Sequence, residues 1–400
     1  MRSVRTLALA GAAILALSVS MGPAMADPPA NTTVATTDVV TVGSDTTQYV
    51  HDQLSLDWNG QTPAPANKYY SWDAVNPTTG LPGDKIQTKG TSTADPNCNI
   101  TRPNGSGAGI AQVEAKLKTH DGNYCVDDAR ASRQLKAADG ADLLAVDEAK
   151  DLITVSVTSG GDGTQSGIAV SDTPVNELKA IYDCNAAEIN SGFSGNVTWA
   201  EIGSTGAGKN NQIIPVLPQA NSGTRATFLS DIGVTWSTPP SCVVNGTNGS
   251  GGIIEENEGT NAEFGPDTLF PYSAGVYVCQ TITKKCPDIH GSQVLLNIDG
   301  KAPIVNNVIN VSGLNAFPAK YIRDLYIVSL NGFKQTPQTC TDPSDYGFVN
   351  TCIPNYLKAH LGGGTPGPKA AVCGTMAAAD YASFGFKISP TCGAVISNSN

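Results

Sequence analysis

The sequence predicts an α/β protein, and three observations lead to that class. Short β-branched runs alternate with segments in which apolar residues recur at helical spacing. The chain contains 42 glycines and 25 prolines, many of which fall between these segments and predict turns and loops. At 400 residues the chain is long for one hydrophobic core, so about two lobes are expected.

The first strand and helix are predicted on either side of a short polar loop. Asp38–Val42 is a β-branched run typical of a strand, and a glycine interrupts it. Ser44 and Asp45 then stand where a helix can be capped, and Val50 with Leu54 supplies its apolar face.

A second junction is predicted where a glycine-rich loop, Asn104–Gly109, precedes a helix. Ile110, Val113 and Leu117 follow at i, i+3 and i+7, the spacing of one helix face. Further strands are predicted at Leu152–Val157, Gln212–Leu217, Tyr277–Val278, Val294–Ile298 and Tyr326–Leu330. Further helices are predicted at Val175–Tyr182, in the stretch that starts with Asn221–Arg225 and stops at Gly233, and at Asn355–Leu361.

The charge balance bears on possible partners. The chain has 24 basic and 35 acidic residues, a net charge of −11. Without residues 1–26, which hold Arg2 and Arg5 and no acid, 22 basic residues stand against 35 acidic ones, or −13. Nucleic acid is therefore not expected as a partner, because phosphate backbones require basic surfaces. A small anionic ligand is not excluded, since a pocket has its own local field.

The N-terminal segment has the pattern of an export signal. Arg2 and Arg5 precede the apolar stretch Leu7–Val19, and Ala24–Ala26 supplies the small residues of a cleavage site. Cleavage after Ala26 would release a secreted or periplasmic protein that begins at Asp27. The segment has no cysteine that could carry a lipid, and no later stretch predicts a membrane span.

Ten cysteines in an exported chain predict disulfide bonds. Spacing alone leaves the connectivity open, but it favours the local pairs Cys279–Cys286, Cys340–Cys352 and Cys373–Cys392, and we expect Cys98–Cys125 to bracket the second junction. The chain has four histidines and no CxxC pair, so neither a zinc site nor any other metal site is predicted.

Three strand-loop-helix junctions carry the candidate chemistry: Ser44–Thr47, Gly105–Ala108 and Asn221–Arg225. Each places small hydroxyl residues where a helix begins, and a helix start presents free N–H groups and the positive end of its dipole. Such a start favours an anion. Whether the three junctions converge on one point is open at the level of sequence.

These segments resemble the phosphate-binding-protein-like branch of the type 2 periplasmic-binding-protein superfamily, the solute receptors of phosphate ABC transporters and their secreted relatives. The resemblance rests on Val42–Gln48, Gly105–Ile110, Val126–Arg133, Leu178–Tyr182 with Val197–Gly203, Ser222–Arg225 with Phe228, Ile298–Pro303 and Arg323–Val328. It extends from about residue 38 to residue 390, in the family's order.

The resemblance implies a two-lobed fold with the ligand in the cleft between the lobes. The first lobe would be discontinuous, 38–165 and 280–400, the second would span 166–279, and 27–37 would form a flexible arm. The implied protein is a monomeric binding protein, not an enzyme, that needs no cofactor; its partners are a small phosphate-like anion and, as a candidate, an ABC transporter permease. The implied ligand-binding residues are Ser44, Asp45, Thr46, Thr47, Ser106, Gly107, Ser132, Arg133, Ser222, Gly223, Thr224 and Arg225.

Two positions depart from the phosphate receptors' pattern. Pro218 stands where they have an arginine, and Arg133 stands where they have the aspartate that accepts the proton of monohydrogen phosphate. If Arg133 and Arg225 face the cleft, we expect weaker discrimination between phosphate and sulfate, or a preference for a larger anion such as a phosphate ester. In the alternative, Arg133 turns outward into an ion pair and Asp45 accepts the proton; Asp45 could equally be a plain helix cap.

Other functions stay open as alternatives. The chain could be an extracellular structural or adhesive protein that kept the fold without the ligand. An extracellular hydrolase using Ser106 or Ser222 is a further alternative, although neither serine lies in a G-x-S-x-G motif. Asp127 and Asp128 could form a metal or acid–base pair, but solvation in a loop is the favoured interpretation.

Overall fold

The computed structural model describes residues 27–29, 31–65, 67–164, 170–330, 372–373 and 375–397. The strands are β1 Val39–Gly43, β2 Tyr69–Ser71, β3 Lys85–Gln87, β4 Asn99–Thr101, β5 Asp128–Ala131, β6 Leu143–Thr158, β7 Ile214–Leu217, β8 Val244–Asn245, β9 Thr268–Ser273, β10 Gln293–Leu295, β11 Ile304–Val305, β12 Val308–Ile309, β13 Ile322–Leu330, β14 Lys387–Ile388 and β15 Val395–Ser397. The helices are α1 Gln48–Asn59, α2 Ser106–Ala115, α3 Glu177–Tyr182, α4 Gly223–Asp231, α5 Ala274–Val278 and α6 Thr375–Ser383.

The central strand β6 joins two halves of one mixed sheet. Its first part, Leu143 to Leu152, pairs antiparallel with β13, and its second part, Ile153 to Val157, pairs antiparallel with β9. The strand order is β2-β1-β5-β13-β6-β9-β7-β8, with β10, β14 and β15 also paired to β6. The fold is therefore mixed α/β, as predicted, and the sheet is continuous from one lobe into the other.

Each half of the sheet has its own hydrophobic core. The first lobe packs around β1, β5 and β13, with Val40, Ile110 and Val328 fully or almost fully buried. The second lobe packs around Trp199 and Phe228, both fully buried. Its core also includes residues of the segment 294–321, which the sequence analysis assigned to the first lobe: Val294, Leu295, Leu296, Ile298, Ile304, Ile309, Val311, Phe317 and Tyr321.

Most of the predicted elements occur near their predicted places, and two differ. Helix α2 ends at Ala115, so Leu117 lies beyond it. The predicted strand at Tyr277–Val278 is wrong, because Ser273 caps helix α5 by accepting a hydrogen bond from the Val276 amide. The predicted helix at 355–361 lies outside the described residues.

The segment predicted as a flexible arm is attached to the first lobe. Arg102 donates to both carboxylate oxygens of Asp27, at 2.7 and 2.8 Å. Val34 is buried, and its carbonyl accepts a hydrogen bond from the Gly90 amide at 2.8 Å. The predicted signal segment, 1–26, lies outside the described residues, and its cleavage stays a prediction. Within the described ranges, no helix has the length and apolar character needed to cross a membrane.

Four disulfides are described. Cys98–Cys125, Cys279–Cys286 and Cys373–Cys392 confirm predicted pairs. Cys184–Cys242 was not predicted, because its 58-residue separation gives no local signal. The predicted pair Cys340–Cys352 lies outside the described part of the chain.

We expect a disulfide that closes a longer loop to stabilise the protein more, with the logarithm of the loop length. Cys98 and Cys125 are 27 residues apart in the chain. Replacing both by alanine should lower the free energy of unfolding by about 3–4 kcal/mol, because the unfolded chain regains the entropy of the closed loop. The same double change at Cys279 and Cys286, separated by 7 residues, should lower it by about 2 kcal/mol. Urea denaturation of both variants measures the difference; a larger loss from the shorter loop would contradict the prediction.

Candidate functional site

The three predicted junctions converge, together with the end of strand β5, on one buried cluster of hydroxyl groups. We call this cluster the cradle; its members are Ser44, Thr46, Ser106, Ser132, Ser222 and Thr224, all buried. Ser132 Oγ lies 3.1 Å from Ser44 Oγ and 3.2 Å from Ser106 Oγ. Across the cleft, Thr46 Oγ1 of the first lobe lies 3.4 Å from Thr224 Oγ1 of the second.

Sheet topology explains why these residues meet. Strands β1 and β5 are parallel neighbours, so Ser44 and Ser132 follow their carboxyl ends at the same sheet edge. Ser222 follows strand β7 of the second lobe in the same manner. The cradle therefore lies where loops at the carboxyl ends of strands from both lobes face each other.

Glycine makes the close approach of these loops possible. A Cβ atom on Gly223 would lie 2.3 Å from both Ser106 Oγ and Ser132 Oγ, so both hydroxyl groups would have to move. The Gly107 amide donates to the Asn221 carbonyl at 3.0 Å and so joins the second and third loops directly. A larger residue at position 223 would separate the lobes at the cradle.

A carboxylate of the chain itself occupies the cradle. Glu256 Oε2 accepts hydrogen bonds from the Thr224 amide at 3.0 Å and from the Ser222 hydroxyl. Its Oε1 lies 3.1 Å from Thr46 Oγ1 and 3.5 Å from Ser44 Oγ. Donors from both lobes thus point at one buried pair of carboxylate oxygens.

Burial raises the pKa of Glu256 to about 7, and the positive charge of Arg323 opposes that rise. Arg323 Nη1 donates to Thr224 Oγ1 and to the Ser132 carbonyl, each at 3.0 Å. Its Nε and Nη2 donate to Asp151 Oδ2 on the central strand, at 3.0 and 2.7 Å. Arg323 is the cation in contact with the cradle, and Asp151 already balances part of its charge.

The backbone that carries Glu256 is fixed on both sides. The Glu256 amide donates to Gln219 Oε1 at 3.1 Å. Asn257 Oδ1 accepts from the Ser273 amide at 3.0 Å, and the Asn257 carbonyl accepts from Tyr272 Oη at 2.6 Å. Glu255, which precedes Glu256 in the chain, accepts from Asn104 Nδ2 of the first lobe at 2.8 and 2.9 Å. The segment therefore bridges the two lobes beside the cradle.

The structure brings seven of the predicted site residues together: Ser44, Thr46, Ser106, Ser132, Ser222, Gly223 and Thr224. Gly107 lies beside them, but its amide bonds to another loop. Asp45 Oδ1 and the Thr47 hydroxyl are buried with no hydrogen-bond partner among the described residues. Asp45 is not a plain helix cap either, since helix α1 begins after Thr47.

Two arginines predicted to bind the ligand direct their guanidinium groups to other partners, and for Arg133 this is the ion pair that the sequence left open as an alternative. Arg133 pairs with Asp139 at 2.7 Å, turned toward its own loop. Arg225 donates to the Pro218 carbonyl at 2.9 Å, and only its amide contacts a cradle residue, Ser222. Each guanidinium satisfies a nearby local acceptor, so the more positive site expected from these two residues does not form.

The favoured interpretation of Asp127 and Asp128, solvation in a loop, is wrong, because both side chains are buried. Asp127 forms an ion pair with Lys89 at 2.7 Å, and Asp128 accepts a hydrogen bond from the Ser329 hydroxyl. Burial raises the pKa of Asp128 to about 7. Among the described residues, no group of three or more His, Cys, Asp or Glu side chains could hold a metal ion.

Sequence reasoning missed the two charged groups of the site. Arg323 gave a usable signal, because it is the one cation of a mostly apolar strand and begins one of the segments that carry the family resemblance. Glu256 gave none, since it follows a glycine-rich loop without periodicity. Only the tertiary fold shows that this loop reaches the cradle.

A cavity lies next to the cradle, between the lobes. Its volume is about 420 Å³, and its walls include Thr227 and Asp231 of helix α4 and Arg133, Arg323 and Tyr326 of the first lobe. Burial raises the pKa of Asp231 to about 7. Arg323 lines this cavity and also contacts the cradle.

Comparison with known proteins finds similarity in fold only. No protein-family model matches the chain, and no curated protein matches it. An ABC-type phosphate transport receptor from Vibrio cholerae is similar with a TM-score of 0.49 and 14% identity, over 88% of this chain and 100% of the receptor. A putative phosphate ABC transporter substrate-binding protein with bound phosphate from Clostridium perfringens is similar with a TM-score of 0.49 and 15% identity, over 88% of this chain and 99% of that protein. A phosphate-binding protein from Stenotrophomonas maltophilia is similar with a TM-score of 0.42 and 13% identity, over 89% of this chain and 91% of that protein.

We expect the Arg323–Asp151 pair to be essential for the stability of the site. Asp151→Asn would leave a buried guanidinium without its counter-charge and should lower the free energy of unfolding by roughly 3–5 kcal/mol. Asp142→Asn is the control, because Asp142 pairs with Lys116 where both side chains are more than 40% exposed; its loss should stay below about 1 kcal/mol. Equal effects of the two changes in chemical denaturation would contradict this expectation.

Proposed function

We propose that the protein binds a small oxyanion, phosphate first, in the cradle between its lobes. The observation that carries the proposal is that the cradle's donors already hold an oxyanion group, the Glu256 carboxylate. Hydroxyl and amide groups that satisfy a carboxylate are of the kind that satisfies two oxygens of a phosphate. The role proposed is binding rather than catalysis.

The electrostatics of the cradle support a single small anion. Arg323 supplies a positive charge, and the start of helix α4 adds the Thr224 amide. Burial between the lobes strengthens these interactions, because water no longer screens them. The donors come from both lobes, so a ligand bound there would favour the closed arrangement.

We further propose that the protein acts outside the cytoplasm, after removal of residues 1–26. Four disulfides in the described ranges support an oxidising compartment. Transfer of the bound anion to an ABC transporter permease is a proposal that rests on the family resemblance alone.

The second candidate is a structural or adhesive protein that has kept the fold without a ligand. The same carboxylate favours it, because Glu256 satisfies the cradle without any external anion. A thermal shift screen with phosphate, arsenate and sulfate separates the candidates. Binding to the folded state alone adds about 2.7 kcal/mol of stability at a hundredfold excess over Kd. A flat response to all three anions at every pH tested would favour the second candidate.

Replacing Thr224 by valine tests the cradle directly. The change removes a hydroxyl that lies 3.4 Å from Thr46 Oγ1 and accepts from Arg323, so phosphate affinity should fall about 5- to 150-fold, or about 1–3 kcal/mol. Ser230→Ala, on the exposed side of the same helix, is the matched control and should leave the Kd unchanged. Calorimetric Kd values that agree between Thr224→Val and the native protein would place the phosphate elsewhere.

A further inference from the structure

In this structure, the Glu256 carboxylate accepts hydrogen bonds from the donors of the cradle. We propose that Glu256 is a resident competing ligand: an oxyanion enters the cradle by displacing this carboxylate, which takes up a proton as it leaves its donors. The protein would then bind an anion and a proton together. This inference rests on the proposed function, because it concerns the same site.

The competition follows from the number of protons that the donors carry. The Ser222 hydroxyl and the Thr224 amide each have one proton to donate, and both point at Glu256 Oε2. The Thr46 hydroxyl lies within hydrogen-bond distance of Oε1. An incoming anion cannot use these three donors while the carboxylate holds them, so the two are alternatives.

The carboxyl group cannot move far from the cradle once it is displaced. Its backbone amide is held by Gln219, and the next residue, Asn257, is held through its side chain and carbonyl. The freed group therefore stays beside the anion. A buried carboxylate next to an anion is strongly unfavourable unless one of them is neutralised.

The charged groups around Glu256 make a proton the available means of neutralisation. From the first lobe, strand β13 presents Arg323, but Asp151 of the central strand already pairs with that guanidinium. The loop of strand β1 and helix α4 present hydroxyl and amide groups to the carboxylate. The neighbouring Glu255 is bound to Asn104 and adds no positive charge.

The ionisation of Glu256 is compatible with this exchange near neutral pH. Burial raises its pKa to about 7, so little free energy is needed to protonate it there. A protonated carboxyl group beside the bound anion would also donate a hydrogen bond to an anion oxygen. The displaced group would thus change from competitor to donor.

Sulfate is the appropriate probe, because unlike phosphate it does not change its own protonation between about pH 6 and about pH 8.5. We expect the native protein's sulfate affinity, measured by calorimetry, to fall about tenfold per pH unit above about pH 7, as required when one proton is taken up per anion bound. Titrations at about pH 8.5 in buffers of different ionisation enthalpy should give uptake of about one proton, because free Glu256 is then almost fully ionised.

Glu256→Gln should bind sulfate with little dependence on pH, and more tightly than the native protein at about pH 8.5, because its side chain stays neutral. Glu258→Gln is the matched control: it removes a charge from the same loop, where Glu258 bonds to Thr260, and should keep the native pH slope. Thermal unfolding of each variant verifies that it is folded.

The outcomes distinguish this inference from the proposed function. Native binding that is independent of pH, or a Glu256→Gln variant that binds sulfate and phosphate more weakly, overturns the competitor role while leaving anion binding in place. If neither anion binds to the native protein or to Glu256→Gln at any pH tested, the proposed function itself fails. Burial also raises the pKa values of Asp231 and Glu255 to about 7, so a native pH slope is assigned to Glu256 by its loss in Glu256→Gln. A native affinity that does not change with pH overturns the competitor role even if that variant does not fold.

Discussion

One buried guanidinium, that of Arg323, connects the parts on which the site depends. It bonds to Asp151 on the central strand, to the Ser132 carbonyl of the first lobe and to the Thr224 hydroxyl of the second. Because the planar guanidinium has its donors in fixed directions, these contacts set the lobes' relative position at the cradle. The same guanidinium supplies positive charge to the cradle, so one residue both connects the lobes and sets the charge of the site.

The close approach of backbones imposes a second constraint. Gly223 leaves no room for a Cβ beside Ser106 and Ser132, and the Gly107 amide bonds directly to the Asn221 carbonyl. The close backbone approach therefore holds the hydroxyl groups within hydrogen-bond distance of one another. A cradle held in this way has little freedom to adapt, which favours small anions over large ones.

Local patterns predicted the elements of the cradle but not its charges. Strand, loop and helix succeed one another in the sequence near Ser44, Ser106 and Ser222 because β-branching, glycine and helical spacing are local properties. Convergence of the three loops followed only from the family resemblance, since sheet order is set by contacts far apart in the chain.

The errors have the same physical origin. The expected contribution of Arg133 failed because Asp139, six residues later, is a nearer partner. Glu256 reaches the cradle through a loop whose hydrogen bonds with Gln219 and Ser273 are tertiary. A charged residue's partner is determined by what lies beside it in the fold, and loop sequences without periodicity say little about that.

The Glu256 carboxylate also satisfies donors that would otherwise be buried without partners in a closed cradle. Each buried donor without a partner costs about 1–3 kcal/mol, and several donors converge here from both lobes. The lobes share a continuous sheet through the central strand, so separating them to hydrate these donors would require β6 to bend. An internal carboxylate satisfies the donors without that deformation. The lobes can then stay together in the absence of ligand, and an incoming anion exchanges with a group already in place instead of filling an empty cleft.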